Sequence, residues 1–422
     1  MYIRDALVIL VVIGSLPFCF AKPWVGVLMW SWLGYMDPHR LTWGIAETIP
    51  FAQMVAMATL GGLFFSKERY RIPWNREIVL LLLLWFVFFC STMFAEYPED
   101  AWKALGKVSK ILLMTFVTIL VINDREKIRW LLYVIALSIG YYGFKGGIWA
   151  ILTGGQYRVL GPEGSFIEGN TEIGLALVMI LPLLVFLRRD ETRVWLSRLL
   201  LAMFCFSIVA ILVTYSRGAL LGLAAVLSIM FLKSKSKIFV LFLLAIAIPV
   251  ALTALPEKWF SRMDTIEHYE GESSAMQRIN AWKMATQVGL DRPVLGAGFR
   301  AFTPEMYARY FPEASNHRVD AHSIIFQVLA EHGFTGLALF VGLIVTSMLS
   351  LRKLIQIAKT DPEQRWVLNY AQMLEASLVG FIVSGLFLSR SYFDLFYHIV
   401  AIVIVLKSLT FPQTRRTFQM TR

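Results

Sequence analysis

The chain has 422 residues, of which 57% are hydrophobic and 16% are charged, and its formal net charge is +11. A soluble globular chain carries about 25% charged residues, so this composition excludes an ordinary water-soluble enzyme and indicates a protein solvated mainly by lipid. The apolar segments are continuous over about 15–25 residues, the length that crosses a hydrocarbon core of about 30 Å. They lack the alternation of a β-barrel. The predicted fold class is therefore all-α, polytopic and integral to a membrane.

In chain order, the apolar segments predict about twelve membrane-spanning helices. The first is interrupted near Pro17 and Pro23, and it could instead be two short helices. We divide the chain into residues 1–254 with nine spans, a cap of residues 255–321, and residues 322–422 with three spans and a tail. Within the cap, residues 274–289 predict an amphipathic helix. The predicted spans lie near residues 6–36, 48–65, 78–94, 105–122, 128–150, 170–187, 195–214, 218–232, 237–254, 322–350, 369–388 and 392–409.

Lysine and arginine are concentrated in alternate linkers, and this bias predicts the orientation of the chain. Clusters such as Arg125, Lys127 and Arg129, or Arg415 and Arg416 in the tail, fall on one side when twelve spans are counted. We assign that side to the cytoplasm, together with both termini, and the cap to the opposite, extracytoplasmic side. Since these linkers account for most of the net charge, no nucleic-acid partner is predicted.

Several basic residues depart from this rule because they lie on the extracytoplasmic side. Guanidinium groups that converge on one face suit a pyrophosphate, since each binds oxygens in a bidentate fork. The alternative for each residue is anchoring at lipid headgroups. The arginines are Arg158, Arg217 in a short turn beside Tyr215, Arg278 in the cap helix and Arg390 in a tight turn. The polar residue Asn170 begins the predicted span that follows Arg158. Lys103, Lys107 and Lys110 share one helix face, where they would bind phosphate groups of a substrate or membrane lipids.

His322 follows Asp320 at the outer end of a predicted span. A histidine held by a helix and open to solvent can accept a proton near neutral pH, and a positioned general base contributes about 10²–10⁴-fold to a rate. The alternative is a histidine that caps the helix or anchors it at the interface. His317 and His332 are weaker candidates, and His39, His268 and His398 are interpreted as structural.

The sequence lacks the patterns of several other chemistries. It contains no Asp-x-Asp pair and no phosphate-binding loop, and Cys19, Cys90 and Cys205 have no metal-ligand spacing. No metal and no cofactor is therefore predicted. A reaction whose leaving group is already good needs a base and positive charge, and the extracytoplasmic side supplies both.

The segment His322-Ser323, nine further residues and then Gly333-Phe334-Thr335-Gly336 resembles the motif of O-antigen ligases. Ser216-Arg217-Gly218-Ala219 is similar to the short arginine turn of that family, and Arg278-Ile279-Asn280-Ala281-Trp282 to its arginine helix. Two stretches of the first half, 37–44 and 164–168, resemble a ligase-like subgroup found near exopolysaccharide or protein-sorting systems.

The resemblance implies a metal-independent bacterial inner-membrane glycosyltransferase of GT-C type. It would transfer a glycan from undecaprenyl pyrophosphate to a hydroxyl of lipid A–core with inversion. Arg217 and Arg278 would neutralise the pyrophosphate, and His322 would deprotonate or orient the acceptor hydroxyl. Glycan polymerases and protein O-glycosylation ligases of the same superfamily share these features and stay open as alternatives. A flippase or transporter of lipid-linked glycan is the alternative from another class.

Overall fold

A computed structural model describes residues 3–68, 70–234, 237, 256–257, 259, 273–312 and 320–411. Within these stretches every longer regular element is helical, as the composition predicts, and the one extended pairing is an isolated bridge between Gly161 and Gly169. The α-helices are α1 Ile3–Ala21, α2 Pro23–Met36, α3 Phe51–Phe65, α4 Arg76–Met93, α5 Pro98–Val121, α6 Arg125–Leu152, α7 Asn170–Arg189, α8 Val194–Val213, α9 Arg217–Leu232, α10 Ser273–Asp291, α11 Pro304–Tyr310, α12 Ile324–Thr360, α13 Arg365–Gly385 and α14 Asp394–Thr410.

Eight of the described helices are long and apolar enough to cross a membrane: α1, α4 to α8, α12, and α13 with the turn before it. Helices α3 and α9 are apolar but shorter. By this criterion the described residues do not reach the predicted number of twelve, although they agree with a polytopic membrane protein. The span predicted at 237–254 lies outside the described residues, apart from residue 237.

From α4 onward, successive long helices run in alternating directions, so their ends gather at two faces. At one face, buried Glu77 at the start of α4 accepts hydrogen bonds from Lys407 Nζ near the end of α14, at 2.9 and 3.0 Å. The same face holds the pair between Arg129 and Glu191, 3.2 Å apart. We call it the basic face because the Lys/Arg-rich linkers lie there. The opposite end, which includes residues 94–97, 153–169 and 386–393, is the cavity face.

The N-terminal segment is a helical hairpin, which agrees with the alternative of two short helices. Residues 6–36 form two antiparallel helices joined at Lys22, because Pro23 begins α2 at a position that favours proline, whereas Pro17 lies inside α1. The amide of Ala46, beyond α2, donates to Asp5 at 3.3 Å. Tyr35, near the end of α2, contacts Phe166 at the cavity face, so Ile3 also lies at the cavity face, whereas α14 ends at the basic face.

Helices α10 and α11, with the loop at 292–303, form the described part of the cap. Helix α10 covers the segment 274–289, for which an amphipathic helix was predicted. Its buried small and apolar residues pack against Met306 and Tyr307 of α11 and Ala330 of α12. Glu96, between α4 and α5, accepts hydrogen bonds from Arg292 at 2.5 Å and Arg309 at 2.9 Å, which attaches the cap to the membrane helices.

Candidate active site

A cavity of about 330 Å³ opens at the cavity face between α5, the cap loop, α12 and the connection from α13 to α14. Its volume is at the small end of the range for ligand pockets. Three acidic and three basic side chains line it: Asp100, Asp320 and Glu331, and Lys107, Arg300 and Arg390. A larger groove of about 640 Å³ lies on the cap, but its lining includes aromatic rings, Lys283 and Arg309 without any acid. The smaller cavity gathers both a proton acceptor and cations, so it is the candidate site.

A break in α12 shapes one wall of this cavity. Gly333 has φ 65° and ψ −168°, a conformation that is essentially restricted to glycine, and it interrupts the helix at its tenth residue. The cap loop uses the main-chain groups that the break releases. Ala297 N–H donates to Ala330 O and Gly298 N–H donates to Glu331 O, both at 2.9 Å, while Phe334 N–H donates to Pro293 O at 2.7 Å. The glycine of the sequence motif therefore joins the cap to a membrane helix.

Glu331, which precedes the break by two residues, is held at the cavity by two donors. Its Oε1 accepts the main-chain N–H of Arg300 at 3.0 Å, and its Oε2 accepts the hydroxyl of Tyr392 at 2.5 Å. The next residue, His332, is fully buried, with Nε2 2.7 Å from the Tyr392 hydroxyl and Nδ1 2.9 Å from Ser91 Oγ. His332 thus belongs to a buried polar network. The sequence had indicated only a weaker candidate at this position.

His322 lies two residues before α12 begins, with φ 44°, rather than within a helix as predicted. Burial and the nearby guanidinium of Arg278 lower its pKa below the ordinary value, while Asp320 and Glu172 oppose that shift. The structure therefore places His322 in the electrostatic neighbourhood of one predicted arginine and of Asp320, which lines the cavity. A neutral imidazole at physiological pH is the form that a general base requires.

The first turn of α7 connects several predicted residues. Asn170 donates from Nδ2 to the carbonyl of Thr214 at 2.8 Å, which fixes the turn that precedes Arg217. Two residues later, Glu172 accepts a hydrogen bond from Arg390 Nη2 at 3.0 Å. Among the described residues, Arg390 Nε is buried without a hydrogen-bond partner, so this guanidinium retains donor capacity. The α7 turn therefore positions one cavity arginine directly and the Arg217 turn through its backbone.

Arg217 is the first residue of α9, after the capping residue Ser216. The preceding Tyr215 is buried with φ 57°, and its hydroxyl donates to Gly155 O at 2.7 Å. Arg158 is exposed and lies over the ring of Tyr215, with its guanidinium carbon 6.0 Å from the ring centroid. Burial raises the pKa of Tyr215, so its hydroxyl is a neutral anchor for this turn. Arg158, Tyr215 and Arg217 therefore form a group beside the cavity lining rather than within it.

The lysines on α5 separate into different environments. Lys103 and Lys107 are both exposed, but Lys107 lines the cavity, whereas Lys103 pairs with Glu99 at 2.9 Å and Asp100 at 3.7 Å. Lys110 is exposed. Shared helical spacing predicted one continuous stripe, but the structure brings a single lysine of the three to the cavity.

Four titratable residues that line the cavity were not predicted as site residues: Asp100, Arg300, Glu331 and Tyr392. Arg300 follows two glycines with positive φ, Gly296 and Gly298, and has a positive φ of 63° itself. That glycine-rich loop was a signal in the sequence, whereas nothing local marked Tyr392. Within the described residues, no group of three His, Cys, Asp or Glu side chains could hold a metal ion.

Comparison with protein families identifies two matching regions. Residues 3–192 match DUF5935, a family of unknown function. Residues 201–341 match the family described as O-Antigen ligase. The first region contains Lys107, Arg158 and Asn170, and the second contains Arg217, Arg278, His322 and the Gly333 break, while Arg390 lies beyond both. No curated protein matches the chain.

Proposed function

Because residues 201–341 match the family described as O-Antigen ligase, we propose that this protein transfers a glycan from undecaprenyl pyrophosphate to a hydroxyl group of lipid A–core. The family match supports a membrane glycosyltransferase-like enzyme that uses a lipid-linked glycan and a lipid acceptor. The observation that carries the finer proposal is His322, a half-buried base in the electrostatic neighbourhood of Asp320 and Arg278, at the end of the protein where the mixed-charge cavity opens.

In the proposed reaction, His322 removes the proton of the acceptor hydroxyl as its oxygen attacks the anomeric carbon. The bond between that carbon and the pyrophosphate oxygen breaks, and the electron pair leaves with the pyrophosphate. Arg217 and Arg278 stabilise the departing charge; a hydrogen bond to a charged group contributes about 1.5–3 kcal/mol. Attack from the side opposite the leaving group inverts the anomeric centre, and no step requires a metal ion.

The remaining candidate residues act around this centre in the proposal. Lys107 and Arg390 line the cavity and offer cationic contacts to phosphate or sugar oxygens, and Asp320 orients His322. Asn170, Tyr215 and Arg158 maintain the turn that carries Arg217. Lys103 and Lys110, which are exposed, contact membrane lipids. The cavity face would lie on the extracytoplasmic side of the bacterial inner membrane, opposite the Lys/Arg-rich linkers.

The test is transfer by purified protein in detergent, with undecaprenyl-pyrophosphate-linked glycan as donor and lipid A–core as acceptor. We expect capped product with wild type, none above background with His322→Ala, and undiminished product in the presence of EDTA. His39→Ala is a matched control, because His39 also lies at the cavity face but contacts Asp37 at 3.2 Å rather than the cavity. Equal activity of wild type and His322→Ala would refute the role of the base.

The acceptor is tested in parallel reactions with a growing glycan and with a serine- and threonine-containing peptide. Product with the peptide alone would replace lipid A–core by a protein acceptor, and product with the glycan alone would indicate a polymerase. Movement of donor across a vesicle membrane without any product would favour a transporter instead.

A further inference from the structure

Ser91, His332, Tyr392 and Glu331 form a hydrogen-bonded chain that starts at the cavity and ends in the protein interior. Glu331 is only 4% exposed, yet its carboxylate lines the cavity. From there the contacts run to Tyr392 at 2.5 Å, to His332 Nε2 at 2.7 Å and from Nδ1 to Ser91 at 2.9 Å. Ser91 can also donate to the main-chain carbonyl of Glu331, at 2.8 Å. A buried polar chain of this kind is costly unless every donor and acceptor is satisfied.

The chain is satisfied when Glu331 is ionised. Ser91 then donates to Nδ1 of a neutral His332, Nε2–H of His332 donates to Tyr392, and Tyr392 donates to the carboxylate. Each of the three contacts holds one proton, and the second carboxylate oxygen accepts the amide of Arg300.

The chain is equally satisfied after it gains one proton. Protonated Glu331 donates to Tyr392, Tyr392 donates to Nε2, Nδ1–H donates to Ser91, and Ser91 donates to the Glu331 carbonyl. A shift of two protons along the same contacts gives a third arrangement, with ionised Glu331 and a doubly protonated His332. In every arrangement each contact again holds one proton, so the chain can store a proton without leaving a buried group unpaired.

We propose that Glu331, supported by Tyr392 and His332, accepts the proton that glycan transfer releases at the cavity. This inference rests on the proposed function. The acceptor O–H bond breaks, the oxygen bonds to the anomeric carbon, the pyrophosphate leaves with the electron pair, and the proton passes by way of His322 to Glu331. After the products leave, Glu331 returns the proton to solvent through the cavity.

Every element around the cavity contributes a charged group to the lining that Glu331 shares. Because these charges also affect the titration of Glu331, the variants that test the proposal must leave them in place. On α5 they are Asp100 and Lys107, and in the cap loop Arg300; Asp320 precedes α12, and Arg390 lies between α13 and α14. Tyr392 and His332 are the titratable groups that contact Glu331 or follow it.

Glu331→Gln is the sharpest variant because its amide can donate to Tyr392 while its carbonyl accepts Arg300 N–H. It therefore reproduces the hydrogen bonds of the protonated chain but cannot accept a proton. We expect an unchanged thermal midpoint and donor KM, a kcat lower by about 10²-fold, and the loss of one ionisation from the acidic limb of the pH–rate profile. A purely structural role predicts wild-type kcat and an unchanged profile, and that result would overturn the proposal.

Tyr392→Phe keeps the carboxylate and cuts its link to His332, so it tests the chain even if Glu331→Gln fails to fold. We expect kcat to fall by about 10-fold or more, and an unchanged kcat would overturn the proposal. Infrared titration gives a readout that needs no substrate. Because the chain has 29 acidic side chains, wild type and Glu331→Gln are compared, and one carboxylic acid C=O band that appears on acidification of wild type should be missing in the variant. If wild type shows this band but transfers glycan to no acceptor, the proposed function is refuted, whereas the ability of Glu331 and its hydrogen-bonded chain to take up a proton is supported.

Discussion

Replacement of Gly333 by alanine should disconnect the cap from α12. The backbone at φ 65° and ψ −168° costs a residue with a side chain about 1–3 kcal/mol. The added Cβ would lie 2.5 Å from Pro293 O and 2.9 Å from Pro293 C, and both are main-chain atoms that no rotamer change can move. Relief of this contact would stretch the hydrogen bond from Phe334 N–H to Pro293 O, at a further cost of about 0.5–1.5 kcal/mol. The expected loss of stability is therefore about 1.5–4.5 kcal/mol.

The assay is thermal unfolding of the purified protein in detergent, followed by the transfer reaction. Gly342→Ala is the matched control on the same helix, because its Cβ would meet only methyl groups of Leu80 at 3.8 and 4.0 Å. In a helix interior, alanine is favoured over glycine by up to about 1 kcal/mol, so this control should unfold at or slightly above the wild-type midpoint. We expect Gly333→Ala to unfold several degrees lower and to lose transfer activity, since Glu331 and the cap loop would shift. Equal midpoints for the two variants would refute the reasoning.

Three further predictions concern charge and topology. Arg278→Gln should raise the pKa of His322 by removing a positive neighbour, so the acidic limb of the pH–rate profile should move to higher pH. Lys107→Ala should raise the KM of donor or acceptor, whereas Lys103→Ala should leave both unchanged, as measured by initial rates at varied substrate concentrations. Ile3→Cys, in a background without the native cysteines, should react with a membrane-impermeant maleimide from the side of the cavity face.

Each of these predictions has its own contradicting result. An acidic limb that stays in place in Arg278→Gln would mean that His322 does not carry the titration. Equal effects of the two lysine variants would contradict the separation of Lys107 from Lys103. For the topology, Lys67→Cys on the basic face is the control, and labelling of Ile3→Cys from the same side as this control would exclude the hairpin.

The sequence predicted the fold class because apolar length and charge depletion are local properties. Helix α10 was also predictable, since its amphipathic pattern is contained in one segment of the chain. The sequence could not decide between one interrupted span and a hairpin in residues 6–36. The apolar composition is the same whether the chain crosses the membrane once or turns back. Contacts of the turned-back chain with residues 44–46 and α3 decide between the two, and those contacts are distant in sequence.

For the site, the sequence by itself predicted which residue types gather on one side of the membrane, and it marked Gly333 as part of a motif but not as a break in a helix. Only the tertiary structure decided that Lys107 reaches the cavity while Lys103 pairs with acids, and that Arg300, Glu331 and Tyr392 meet. The physical reason is that burial and electrostatic neighbourhood depend on long-range packing. Glu331 and Tyr392 lie 61 positions apart in the chain, and no local pattern encodes their hydrogen bond.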